Sequence, residues 1–161
     1  MELIKSKFSF WFRYKIQHYN SKKYWVMRAK VINSAYRFRL IKIWYLFRIK
    51  KMDAFNNASF GTNYNEGAIF KTPPILPHGL NGIIIGYDVV VGENCTIHQQ
   101  VTIQHGGGII IGDNVFIGAG AKILNGSIIG DNVRIGANCV VFETVPDSAT
   151  IVLQKPRIIF K

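Results

Sequence analysis

Residues 109–141 read IIIGDNVFIGAGAKILNGSIIGDNVRIGANCVV, and this stretch decides how the chain folds. Ile111, Ile117, Ile123, Ile129, Ile135 and Val141 follow one another at six-residue steps. The same beat runs back through Ile103, Ile97, Val91 and Ile85, with two extra residues between Ile103 and Ile111. Glycine follows the aliphatic residue at Gly86, Gly92, Gly112, Gly118, Gly130 and Gly136. A small or β-branched residue recurs four positions after it, as at Val89, Cys95, Val115, Ala121, Val133 and Cys139. Six is not a multiple of the helical period, and a hairpin sheet would alternate between irregular turns. A hexapeptide period means short parallel strands joined by tight turns, with three hexads closing one coil of a prism. Stacked coils bury one continuous aliphatic core. Gly, Asn and Asp supply the positive φ angles of the corners.

Charge divides the chain. Residues 1–55 hold fourteen Lys and Arg against Glu2 and Asp53, whereas residues 56–161 hold six against seven acids. We therefore expect a basic, aromatic, helical head over residues 1–55 and a nearly neutral β-helix with a C-terminal tail over residues 56–161. The fold class is mainly β: a parallel β-helix of three hexads per coil, with a small N-terminal α-helical region. In the head, KKYWVMRAKVI and RFRLIKIWYLFRIKK read as helices, the second apolar over a broad face and basic elsewhere. Such helices can cap the open end of the prism, lie on an anionic membrane surface through residues 1–50, or bind nucleic acid. No nucleic-acid motif accompanies them, so we expect no nucleic acid partner. A cap whose exposed basic face touches membrane is favoured.

Cys95 and Cys139 form no CxxC pair and fall in core-facing positions. Buried free thiols fit a reducing compartment. The first residues carry scattered lysines and no uninterrupted apolar run, so no secretory leader is read there and a cytoplasmic location is expected, at the inner face of the membrane where the head touches it.

The segments LPHGLNGIIIG, NCTIHQQVTI, IGDNVFIGAGAKIL and IGANCVV, with the tail VPDSATIVLQKPRII, resemble the left-handed β-helix, hexapeptide-repeat acyltransferases. Within that family the resemblance is to the serine O-acetyltransferase branch and its short relatives in polysaccharide gene clusters. It covers about two-thirds of the chain and implies a left-handed prism, a homotrimer, and acetyl-CoA lying between neighbouring prisms. His78 occupies the place of the family's catalytic histidine. The resemblance implies that its imidazole takes the proton of an acceptor hydroxyl. Backbone N–H groups at Gly79 and across residues 106–108 are candidates to steady the oxyanion.

The pattern departs from the serine branch in three places. Asn63 stands where an Asp orients the histidine, Pro77 replaces an Asp before it, and the following glycine is one residue late, at Gly82. Asn63 can still orient the ring. The two-residue insertion should project from a corner, making Gln104 and His105 candidate substrate contacts, and His98 is a third. Gly107, Ala119 and Ala137 leave room for a pantetheine arm, and Arg134, Lys155 and Arg157 are candidates for its phosphates. A three-histidine zinc site of the kind some hexapeptide prisms carry is disfavoured, because His98 and His105 are seven apart; no metal is expected. The resulting expectation is an acetyl-CoA-dependent O-acetyltransferase acting on a sugar hydroxyl of surface polysaccharide. Serine O-acetylation and a non-catalytic hexapeptide scaffold stand as alternatives.

Overall fold

The computed structural model describes residues 18–154 and residue 159. Three short-stranded parallel sheets form the faces of a prism. The first sheet orders β1 (Ser59–Phe60), β5 (Ile84–Ile85), β8 (Thr102–Ile103), β11 (Lys122–Ile123) and β14 (Val140–Val141). The second orders β4 (Ile69–Phe70), β6 (Val90–Val91), β9 (Ile110–Ile111) and β12 (Ile128–Ile129). The third orders β7 (Thr96–Ile97), β10 (Phe116–Ile117), β13 (Arg134–Ile135) and β15 (Thr150–Ile151). The chain visits the sheets in that order, turn after turn. This is a parallel β-solenoid of about four turns, consistent with a left-handed β-helix.

The six-step aliphatics are the inward residues of these strands. Ile85, Val91, Ile97, Ile103, Ile111, Ile117, Ile123, Ile129, Ile135 and Val141 are all buried. Register stacks like on like, Ile97 on Ile117 and Ile117 on Ile135. Ser127 is the one hydroxyl among the small inward positions, and its Oγ donates to the Leu124 carbonyl at 2.7 Å. Cys95 and Cys139 are buried free thiols, and burial pushes the Cys95 thiol pKa up.

The corners differ in chemistry. Between the second and third sheets, each coil's Asp binds the backbone of the coil before it: the Glu93 N–H donates to Asp113 and the Asp113 N–H to Asp131. Asn94, Asn114 and Asn132 turn this corner with φ near +55°. Gly112 is required by the same stacking. A Cβ there would lie 2.3 Å from Asp131 Oδ1 and 2.8 Å from the Gly130 carbonyl carbon.

Two helices pack on the first coil. Helix α1 (Ser21–Ile32) starts at Asn20, whose side chain accepts from the Lys23 N–H at 3.0 Å. Helix α2 (Arg39–Phe55) follows after a short turn. Tyr24 and Trp25 set their rings edge-on against Phe60, and Trp25 does the same against Phe70. These aromatics cover the end of the aliphatic core.

The docking is polar as well. Arg28 is buried; its Nε donates to Thr62 Oγ1 at 3.1 Å and its Nη2 to the Phe60 carbonyl at 3.0 Å. Its guanidinium lies over the Trp25 and Phe70 rings. Lys42, also buried, donates to the Asn33 carbonyl at 2.6 Å and to Asn65. So α2 turns Lys42, Ile49, Met52 and Asp53 inward. Its exposed face is apolar as well as basic, with Leu40, Ile43, Trp44 and Phe47 open to solvent. The expectation was a cap with an exposed basic face; that face carries apolar side chains beside the basic ones.

Candidate active site

Two edges of the prism carry the histidines. His78 and His98 lie on the edge where the third sheet hands over to the first. His98 follows β7, and His78 sits in the corresponding turn one coil earlier, after Ile75 bridges to Thr96. That earlier turn is enlarged: Ile75 to Ile84 covers nine positions where Thr96 to Thr102 covers six. Leu80 anchors it in the core, and its ends are tied by Gly79 N–H to the Leu76 carbonyl and Gly82 N–H to the Asn56 carbonyl. His78 is left exposed at its apex.

The rings on this edge form a row. His78 lies 5.8 Å from His98, and His98 lies 5.0 Å from Phe116, centroid to centroid. The Arg134 guanidinium sits 4.8 Å from the Phe116 ring, a cation over a π face. Beside the row run the small corners Gly118, Ala119, Gly120 and Gly136, Ala137, Asn138. The Asn138 N–H donates to the Ala119 carbonyl at 2.8 Å, which stacks the two alanine corners. Gly118 permits this, since a Cβ there would lie 2.6 Å from the Ala137 nitrogen. Neither the Ala119 nor the Ala137 N–H donates to a backbone carbonyl among the described residues. An imidazole pair, an aromatic step, an arginine and a smooth edge with free amides thus lie along one line.

The insertion builds the opposite feature, on the edge between the first and second sheets. His105 packs against Tyr87 with centroids 6.0 Å apart. Asp88 accepts from the Gly106 N–H at 2.7 Å, and Gln104 accepts from the Asn125 N–H at 3.3 Å. Gly107 is a packing glycine, since a Cβ there would lie 2.6 Å from that of Asn125. Within one chain, Gln104, His105 and Gly107 therefore do not share an edge with His78, His98, Ala119, Arg134 and Ala137.

Two sequence expectations meet competing contacts here. Asn63 ends β2 (Thr62–Asn63), which pairs antiparallel with β3 (Glu66–Gly67), and its side-chain amide donates to Glu66 at 3.4 Å. Among the described residues it makes no hydrogen bond to His78. The Gly79 and Gly106 N–H groups, named as oxyanion donors, already donate to Leu76 and Asp88. Lys155 and Arg157 lie outside the described residues. Phe116 was not anticipated. Its signal was an aromatic at an outward position where the same column otherwise holds Thr96, Arg134 and Thr150. Among the described residues no group of three His, Cys, Asp or Glu side chains is arranged to hold a metal ion.

Residues 108–143 match the family model described as bacterial transferase hexapeptide (six repeats). A serine acetyltransferase of Staphylococcus aureus is 35% identical over 98 residues, which cover 57% of this chain and 46% of that protein. The crystal structure of Neisseria gonorrhoeae serine acetyltransferase superposes with a TM-score of 0.59 at 31% identity, covering 74% of this chain and 46% of that one. A serine acetyltransferase in complex with CoA gives 0.57 at 30% identity, covering 70% and 46%. The chain spans about half the length of the relatives it matches. In repeat, fold and sequence the prism resembles that of the serine acetyltransferases it matches.

Proposed function

We propose that the chain is an acetyl-CoA-dependent O-acetyltransferase with His78 as its general base. The observation that carries this reading is the edge row: exposed His78 beside His98, then Phe116 and Arg134, running along the alanine corners. Stacked strands are about 5 Å apart, so Arg134 lies roughly 15 Å from His78. That distance suits an extended thioester arm, with its carbonyl at the imidazole and its phosphates at the guanidinium. The similarity to a serine acetyltransferase seen in complex with CoA supports CoA as the carrier of the acetyl group.

In this mechanism the acceptor hydroxyl attacks the thioester carbonyl while His78 takes its proton. A new C–O bond forms as the C–S bond breaks, and the imidazolium returns the proton to the leaving thiolate. His98, in ring contact with His78, positions it.

The reading includes a homotrimer. Its support is the outward column of the second sheet, where Ile69, Val90, Ile110 and Ile128 align in register. Ile69, Ile110 and Ile128 are exposed. Seating that face on a second copy in a head-to-tail ring would carry the His105 loop toward a neighbour's His78 row. It would reunite residues that one chain holds apart. Acetyl-CoA and reduced thiols suit a cytoplasmic setting.

For the acceptor we propose a sugar hydroxyl. The support is Pro77 beside His78 and the engagement of Asn63 by Glu66, which leave few charges for a zwitterionic amino acid. Serine is the second reading, favoured by the similarity to serine acetyltransferases. Thiol release from acetyl-CoA, measured across serine and a panel of sugars, tests both. We expect release with a sugar and little with serine. Turnover of serine alone reverses the order, and silence across the panel with all acceptors favours a scaffold.

A further inference from the structure

We propose that the outer face of α2 is a docking surface for an anionic lipid bilayer. Leu40, Ile43, Trp44 and Phe47 recur at helical i, i+3, i+4, i+7 spacing and make one stripe. All four are exposed, Leu40 at 82% and Phe47 at 64%. The inward face of the same helix holds Lys42 and Asp53 beside Ile49 and Met52. In a water-soluble helix packed on one side, the outward stripe would be polar. Lys42 is held by Asn33 and Asn65, and Asp53 by Tyr24. The apolar stripe is left for another medium.

Charge identifies that medium. Between residues 18 and 55, Lys22, Lys23, Lys30, Arg37, Arg39, Arg48, Lys50 and Lys51 are exposed or half-exposed. The sole acid in that span, Asp53, is buried. Arg48 lies over the Trp44 ring, 5.3 Å from its centroid, and Lys50 and Lys51 follow Phe47 within one turn. An apolar stripe bordered by cations with no exposed acid complements a negatively charged headgroup layer. Tryptophan and arginine are residues of that layer. A second copy of this chain would bring the same cations together and repel. No described helix is long and apolar enough to cross a membrane, so α2 would lie in the surface plane. The inference does not depend on the acetyl-transfer reading.

The test uses the whole chain and its Leu40→Gln, Phe47→Gln double variant, floated with vesicles of phosphatidylcholine alone or mixed with phosphatidylglycerol. We expect the wild type on the anionic vesicles only, with binding weakened by added salt. The double variant should bind roughly tenfold or more weakly, with an unchanged circular dichroism spectrum. Arg48→Glu, Lys51→Glu, which leaves the stripe intact, should lose the anionic preference. Equal flotation of wild type and double variant overturns the proposal, as does absence of binding. A drop in oligomeric mass in the double variant would assign the stripe to a protein interface instead. Binding that requires removal of residues 1–17 would assign it to a cover supplied by the chain itself.

Discussion

The prism and the helical head show solvent different things. The prism turns aliphatics inward at every sixth residue and leaves the charges of its described residues outside. The head hides an arginine, a lysine and an aspartate among buried apolar residues such as Tyr24, Val31 and Ile49, and shows water an aliphatic and aromatic stripe. The prism therefore behaves as a protein with one solvent. The head behaves as an adaptor with two sides, one shaped for the prism and one for something apolar. Both regions expose apolar side chains, but in different settings. The second sheet's column Ile69, Ile110, Ile128 stands between corners of mixed charge, with the Lys71–Asp113 ion pair on one side and Asp88 on the other, whereas the α2 stripe stands among cations. The first suits a copy of the same chain and the second a lipid surface.

The comparison is sharpest where function is placed in the prism alone. His78→Ala should lower acetyl transfer by about two to four orders of magnitude, the range of general-base contributions, with little change in stability because the ring is exposed. Thiol release under saturating substrates measures it; full turnover by the variant would move the base elsewhere. Next in size is the oligomer. Ile110→Glu with Ile128→Glu puts two carboxylates in the proposed interface, and roughly 100-fold weaker association is expected. Sedimentation velocity should show monomer, and an unshifted trimer would place the interface on another face.

The boundary between the two regions is tested by Arg28→Met. The methionine fills much of the slot between Trp25 and Phe70 but leaves the Phe60 and Ala68 carbonyls and Thr62 without their donor. A cost of about 3 kcal/mol follows from losing a buried charged donor. Denaturant unfolding should show the midpoint fall as a single transition. Two separated transitions would mean that head and prism fold independently, and the polar dock would then be incidental to the prism.

How much of this was legible in sequence follows from the same contrast. In a solenoid each inward residue meets its counterpart one coil away, so contacts repeat along one dimension and a six-step beat is enough to place Ile117 between Ile97 and Ile135. The pairing of His78 with His98 does not follow from that register, because the turn that carries His78 is enlarged to nine positions. The role of Asn63 does not, because the hairpin of β2 and β3 interrupts the beat and hands its amide to Glu66. Nor does the separation of His105 from His78, which depends on which corner the insertion falls on. In α2 apolar residues recur on both faces. Only the tertiary partners of Lys42, at Asn33 and Asn65, decide which face is inward.

The smallest expected effect isolates one buried charge. Burial raises the Asp53 carboxyl pKa to about 6, outweighing the Tyr24 hydrogen bond and the charges of Lys50 and Arg28. The unfolded carboxyl titrates near 3.9, so between roughly pH 4 and 6 the folded state holds the extra proton. Its stabilisation is fully present below the unfolded pKa and is lost as pH rises through the folded one. The shift of about two pKa units corresponds to at most about 3 kcal/mol, and relaxation around the group should leave less. Asp53→Asn removes the titration while keeping an oxygen for the Tyr24 hydroxyl, which donates to Asp53 at 2.8 Å. Relative to wild type, the variant should therefore gain stability steadily as pH rises from 4 to 7, in denaturant titrations run at each pH. Parallel curves would mean that Asp53 is ionised in the fold at the low end of that range. The head would then bury a full ion where the pKa argues for a neutral acid.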